Sequence, residues 1–316
     1  VVLTRRNGKR PERLMTTAEM LPLPIDSLSE RIEAVEHQTR VAVLMLSGAL
    51  CPVHNGHLEA MEVCRAAVQT IFGVPVAQGY LIPSSEQYVD NKQAKKGEPS
   101  LSLADRVRLC EVACQTHRPP AVGSAWLSVC PWGWHSSWAL AEELAKVIPQ
   151  RVDMKGMKLE VWEVAGADFA LRCKLWRQPQ SLEEQRHRRI VCLERQPATD
   201  TIRHEILRQH HHRTVTVTLP SIQQRQQQVT AHLVPFTHGN ASASTLAADG
   251  GVFVLLCGAG VLMRLGDASS TRVREELGVD GGIGMVRAGW MSMEVVDAMK
   301  GMQWRQGWGR NRWSGG

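Results

Sequence analysis

Apolar positions along this chain follow two spacings, and the change from one to the other marks out the elements. Val41 to Leu46 is a short unbroken apolar run, the mark of a strand buried on both faces. From Gly56 onward Ala60, Cys64, Ala67, Val68 and Ile71 recur at helical spacing, and Gly73-Val74-Pro75 ends that segment. Val76 to Ile82 is a second strand. Leu101 to Thr116 and Ala139 to Val147 read as helices, whereas Lys158 to Ala165 and Ile190 to Leu193 read as further strands. A short helix over Ser27 to Thr39 precedes the first strand. The βαβα rhythm predicts an α/β fold with a parallel sheet, because parallel neighbours need a crossover element between them.

Other stretches interrupt this rhythm. Ser84 to Ser100 is polar and carries Lys92, Lys95, Lys96 and Gly97, so a mobile surface loop is expected there. Residues 126–138 form a Trp-rich turn. Residues 219–266, with a Gln run at Gln223 to Gln228 and then Ala/Ser/Gly-rich sequence, read as an insertion. Helical patterns resume over Ser270 to Leu277 and Met291 to Met302. The expected organisation is a polar leader over 1–40, one domain over 41–303 and a Trp/Gly/Arg tail over 304–316.

With 316 residues and 43% hydrophobic content the chain buries a full core. The formal charge of +6 suits an enzyme that handles polyphosphates, but it is ordinary for a globular protein and decides nothing alone. No nucleic-acid partner is expected. The eight cysteines lie mostly inside apolar runs without CxxC spacing, which points to free buried thiols of a reducing, intracellular compartment, cytoplasmic or nuclear. An Arg-rich, acid-poor start also fits the remnant of an organelle transit peptide. The longest apolar run, Gly251 to Met263, is shorter than the roughly 20 residues a membrane span needs, so no membrane association is expected.

The chemistry concentrates where the first strand ends. Gly48 and Pro52 mark a turn, and His54 and His57 follow at the start of a helical pattern. A neutral imidazole donates through one ring nitrogen, and a helix start adds unpaired N–H groups and the positive end of the helix dipole. That combination suits a triphosphate. Standing alone, such a pair reads more simply as a loop histidine and a cap. A zinc site would need His-Glu-x-x-His spacing, which is absent. Far downstream, Ser269, Ser270 and Thr271 are placed to cap another helix, with Arg272 and Arg274 beyond them. Two such patches from distant parts of a sheet make a phosphate site the better reading. The His210-His211-His212 cluster, with His204 upstream, reads as a solvated helix end, and Cys257-Gly258-Ala259-Gly260 lacks the third glycine of a dinucleotide fingerprint.

In these motifs the chain resembles the HxGH nucleotidyltransferases, most closely the eukaryotic-type nicotinamide/nicotinate mononucleotide adenylyltransferases. The family's glycine turn and histidine motif matches Gly48 to His57. Its strand and lysine loop look like Gly79 to Ser85 and Lys95-Lys96-Gly97. Its Gly-Ala-Asp and Leu-Trp motifs match Gly166-Ala167-Asp168 and Leu175-Trp176, the strand-ending arginine matches Arg195, and the Ser-Ser-Thr-x-x-Arg signature matches Ser269 to Arg274. Leu50 and Cys51 depart from the family's aromatic and Asn, which alters that turn and places an oxidisable thiol in it.

The resemblance implies a Rossmann-like doubly wound parallel sheet with helices on both faces. It implies that ATP and nicotinamide or nicotinate mononucleotide give NAD or its deamido form and pyrophosphate. On the ATP side stand Gly48, Ala49, His54, His57, Lys96, Ser270, Thr271, Arg272 and Arg274, with His54, His57 and Arg274 as the catalytic set. On the mononucleotide side stand Leu50, Trp132, Gly166, Asp168, Leu175, Trp176 and Arg195, the two indoles flanking the pyridine ring. Magnesium (Mg2+) would arrive on the ATP phosphates without protein ligands, and the family's habit implies a homo-oligomer. The competing readings are a cytidylyltransferase or pantetheine-phosphate adenylyltransferase, and a catalytically impaired nucleotide-binding or chaperone-like homologue.

Overall fold

Strand β1 (Arg40–Gly48) lies inside an eight-stranded sheet, third from one edge. The computed structural model describes residues 23–35, 37–117, 126–133, 137–209, 212–220, 226–236, 250–258, 272–275, 283–300 and 302–304. The other strands are β2 (Val76–Pro83), β3 (Leu127–Val129), β4 (Lys158–Gly166), β5 (Arg189–Leu193), β6 (Arg213–Pro220), β7 (Gln226–Pro235) and β8 (Val252–Cys257). They are ordered β3-β2-β1-β4-β5-β8-β7-β6. From β3 to β8 every pairing is parallel, and β7 and β6 extend that edge antiparallel.

Helices cover both faces, because β1 buries both sets of its side chains. Ala42, Leu44 and Leu46 join one core cluster with α2 (Asn55–Phe72) and α4 (Leu103–Thr116). Val41, Val43 and Met45 join another with α1 (Asp26–Glu33) and α5 (Ser137–Arg151). A third cluster packs β5 and β8 against α6 (Ala167–Cys173) and α8 (Ala198–Leu207). The remaining helices are α3 (Glu86–Ala94), α7 (Leu182–His187), α9 (Ile283–Arg287) and α10 (Met293–Lys300). The α/β, doubly wound, Rossmann-like arrangement expected from the sequence is therefore the observed one. Gly73 closes α2 with φ +66°, the left-handed conformation glycine adopts without steric cost.

The structure departs from the sequence reading in three places. Residues 84–100 are not simply a loop: they hold α3, started by the Ser85 hydroxyl, which accepts from the Tyr88 N–H at 3.3 Å. Only Val89 and Gln93 of this helix are buried, too few to leave a periodic signal. Residues 126–138 hold β3 at the sheet edge and the start of α5. Residues 219–266 contribute β7 and β8 to the sheet. β8 is buried along its whole length, with Val252, Val254 and Leu256 facing one cluster and Phe253, Leu255 and Cys257 another. It pairs parallel with β5, so it completes the parallel series, and the β6–β7 hairpin is what extends beyond. Of the expected leader and tail, 1–22 and 305–316 lie outside the described residues, as do His210 and His211. Among the described residues no helix is long and apolar enough to cross a membrane.

Candidate functional site

The order of connections reverses beside β1, which pairs with β2 on one side and β4 on the other. Beyond such a switch point the loops at the carboxyl ends diverge and leave a crevice. Here it is a cavity of about 1780 Å³. Its walls are the ends of β1 (Leu46 to Gly48), β4 (Val164 to Gly166) and β5 (Leu193 and the following Glu194 and Arg195), with Cys257 and Gly258 from β8. Six basic side chains, Lys92, Lys96, Arg172, Arg195, Arg203 and Arg274, line it against three acidic ones, Asp168, Glu194 and Asp200. Asp168 is 3.2 Å from Arg195 and Asp200 is 2.9 Å from Arg203, both as ion pairs.

His54 caps α2 from an extended conformation (φ −145°, ψ 166°), and His57 sits in the helix's first turn. The His54 backbone N–H donates to His57 Nδ1 at 3.2 Å. In the neutral ring the proton therefore sits on Nε2, which makes His57 a hydrogen-bond donor. Burial is the main reason that His57 titrates at about 4 rather than 6.5, and Arg195 adds to it; burial likewise drives His54 well below the ordinary histidine range, followed by repulsion from His57 and Arg195. Both rings are neutral near pH 7, and they lie 3.8 Å apart between centroids. The start of α2 is braced from the other end of the chain. The Asn55 amide Nδ2 donates to the Gly289 carbonyl at 2.7 Å, and the Asn55 backbone N–H donates to the Trp290 carbonyl at 2.6 Å.

The turn between β1 and α2 is fixed by an arginine that sequence reasoning left unassigned. Arg106 on α4 is fully buried and donates to the carbonyls of Ala49 at 3.0 Å, Ser84 at 2.7 Å and Leu101 at 3.2 Å. The turn needs such support, since Leu50 within it holds φ +43°, a conformation unfavourable to a non-glycine residue. Cys51 beside it is buried, and burial pushes its thiol up, so it is a protonated, unreactive thiol rather than an oxidisable one.

Arg274, only 3% exposed, reaches the same turn and donates to the Cys51 carbonyl and to Glu98. With its amide oriented to satisfy both neighbours, Gln93 accepts from Arg274 at 3.0 Å and donates to Glu98 at 3.0 Å. Lys96 is the exposed member of the group, 4.0 Å from Glu98. Lys92, on α3, was not assigned from sequence because its segment read as loop. Burial lowers its pKa, and the nearby cations Lys96, Arg172 and Arg274 lower it further. Cations crowded together in a pocket are the arrangement that a multivalent anion relieves.

The structure thus brings together at one cavity Gly48, Ala49, Leu50, His54, His57, Lys96, Gly166, Asp168, Arg195 and Arg274. It places four other expected residues elsewhere. Trp132 packs in the core with Tyr80 and Leu140. Trp176 is buried edge-on to Phe253, its indole N–H donating to Glu205 at 3.2 Å, with Leu175 in the same cluster. Arg272 stacks its guanidinium over Trp290, 4.8 Å from the ring centre. Ser269, Ser270 and Thr271 lie outside the described residues. Among the described residues no group of three or more His, Cys, Asp or Glu side chains is placed to hold a metal ion.

The sheet order, the switch-point cavity and its excess of cations define the class: a doubly wound α/β protein with a site suited to anions. No protein-family profile matches the chain. In sequence it is similar to a nicotinamide/nicotinic acid mononucleotide adenylyltransferase of Oryza sativa subsp. japonica, 35% identical over 96 residues, which are 30% of this chain and 35% of that protein. The match therefore spans about a third of the relative's length. Two solved structures of Plasmodium falciparum nicotinic acid mononucleotide adenylyltransferase, complexed with APC and with NaAD, align over 83% of this chain and 95% of theirs. Their TM-scores are 0.46 and 0.45 at 8% identity.

Proposed function

We propose that this protein is an adenylyltransferase that joins ATP to nicotinamide or nicotinate mononucleotide. The observation that carries the reading is the pair of neutral histidines at the start of α2, at the carboxyl end of β1, facing a cavity lined by lysines and arginines. The partial sequence similarity to the rice enzyme points the same way. A cavity of about 1780 Å³ exceeds the roughly 300–1,000 Å³ of a site for one small ligand, which suits two nucleotides bound side by side.

In this reading a 5′-phosphate oxygen of the mononucleotide attacks the α-phosphorus of ATP in line. The new P–O bond forms as the α–β bridge breaks, and pyrophosphate leaves with the bridging oxygen. The attacking phosphate is largely dianionic near pH 7, its second pKa being about 6, so no general base is needed. The protein positions the reactants and neutralises charge. His57, with its proton on Nε2, donates to the α-phosphate and the departing oxygen. Lys92, Lys96 and Arg274 face the β- and γ-phosphates, and Asp168, oriented by Arg195, accepts from ribose hydroxyls. Magnesium would screen phosphate charge. Because Asp168 and Asp200 are already paired with arginines, the donors present suit a metal carried by phosphates and water better than a carboxylate cage.

The test is pyrophosphate release by the purified chain with ATP and magnesium. Nicotinamide mononucleotide, nicotinate mononucleotide, and phosphopantetheine serve as acceptors, with CTP plus phosphocholine as a separate pair. Release with a pyridine mononucleotide is expected, and His57→Ala is expected to lower turnover at least about a hundredfold while leaving the fold intact. Release only with another pair, or near-normal turnover in the variant, refutes the assignment.

A further inference from the structure

A carboxylate occupies an arginine that the reaction needs. Arg274 is buried in the cavity wall, and the described residues that accept from it include the Cys51 carbonyl, Gln93 and Glu98. The Cys51 carbonyl and Gln93 are neutral and take the Nη1 side of the guanidinium. Glu98 is an anion, and it takes the Nη2 edge of the guanidinium, the donor geometry that a phosphate oxygen also seeks.

We infer that Glu98 is an internal anion that holds Arg274 in position while the polyphosphate site is empty, yields it to the phosphates of ATP, and takes it back as pyrophosphate leaves. The inference rests on the adenylyltransferase reading. It names a positioning residue which that reading does not require.

Three features favour exchange over a permanent structural pair. Glu98 is partly exposed and stands just behind the cavity lining, next to Lys96, whereas the Cys51 turn and Gln93 of α3, which also accept from Arg274, are buried. Gly97 precedes it at φ +66°, with nothing within 4 Å of where a Cβ would stand, so the backbone there has room to turn. Lys96 lies 4.0 Å from the same carboxylate, so moving Glu98 off Arg274 also frees the lysine expected to reach the β- and γ-phosphates. A carboxylate left beside a triphosphate would repel it, so the two anions exclude each other on Arg274.

The prediction is specific to ligands that reach Arg274. Glu98→Gln keeps a hydrogen-bond acceptor but removes the competing charge. It should tighten binding of inorganic tripolyphosphate, pyrophosphate and ATP by about tenfold, which corresponds to about 1.4 kcal/mol. AMP, whose single phosphate does not extend to Arg274, should bind the variant and the parent alike. In turnover assays the variant should show a lower KM for ATP, stronger product inhibition by pyrophosphate, and a kcat reduced in proportion to the slower release.

Isothermal titration of the full chain with these four anions tests the idea. Glu183→Gln on α7, which changes the net charge equally, serves as a control, and Glu98→Gln/Arg274→Lys serves as the linked double variant. A gain confined to polyphosphates, absent from the control and reduced in the double variant, supports the exchange. Equal gains for AMP and ATP, no gain in the single variant, or a loss of binding there, overturns it. If parent and variant alike bind no polyphosphate, both this inference and the adenylyltransferase reading fail, an outcome separate from failure of the exchange alone.

Discussion

Acidification should find His57 first. In the folded chain this ring titrates at about 4, and in the unfolded chain near its ordinary 6.5, chiefly because folding buries it. Between those values the unfolded state takes up a proton that the native state refuses, so the contribution to stability is intact above about pH 6.5 and is lost as pH falls toward 4. A difference of roughly 2.5 units corresponds to about 3 kcal/mol in full, of which about 2 kcal/mol is lost between pH 7 and pH 5. His54, also depressed, adds in the same direction. The experiment is urea denaturation of the parent and of His57→Gln, which carries no titrating ring, at a series of pH values from 7 to 5. The gap between the two curves should change by about 2 kcal/mol in the variant's favour as pH falls. A gap that stays constant over this range would show that His57 is not held neutral by burial, and the argument for Nε2–H as a phosphate donor would lose its basis.

Three further perturbations test other parts of the structure. Arg106→Leu removes the donor to the carbonyls of Ala49, Ser84 and Leu101 and should destabilise the fold by about 3 kcal/mol, read as a lower urea midpoint. Gly79→Ala places a Cβ 2.6 Å from Trp126, 2.7 Å from Leu127 and 2.8 Å from Met61, and should cost about 2 kcal/mol in thermal or urea unfolding; an unchanged midpoint would contradict the packing of β2 against β3. Lys92→Ala should raise the KM for ATP by about tenfold with kcat little changed, as expected for a cation that binds ground and transition states alike. A KM within twofold of the parent's would remove Lys92 from the phosphate site.

Sequence alone determined the elements whose cause is local. The strands β1, β2, β4 and β5 are legible because burial on both faces demands mostly apolar side chains, even though β2 buries Gln78 and β4 buries Glu160 and Glu163. The helices α2 and α4 are legible from spacing, and α2 also from the His54 cap and the Gly73 stop. That His54 and His57 stand together at the cavity was legible from chain position, since a strand end followed by a helix start brings both to the carboxyl edge of the sheet. α3 escaped because only Val89 and Gln93 turn inward, β7 because it starts in the Gln run, and β8 because its apolar run lies in a segment that breaks the βα rhythm and pairs with β5 across 63 positions: Arg189 aligns with Val252, and Leu193 with Leu256. Composition also could not separate core tryptophans from site tryptophans, and the structure places Trp132 and Trp176 in the core.

Tertiary structure alone decided which distant charges meet. Glu98 and Arg274 are 176 positions apart, and Arg106 reaches Ala49 across 57. Neither contact leaves a trace in periodicity, because each depends on where the sheet order delivers a loop and on which acceptor lies within a guanidinium's reach. Lys92 and Arg172 enter the cavity for the same reason. The sequence specifies which residues can bear charge, and packing the helices on both faces of the sheet determines the distances at which those charges act.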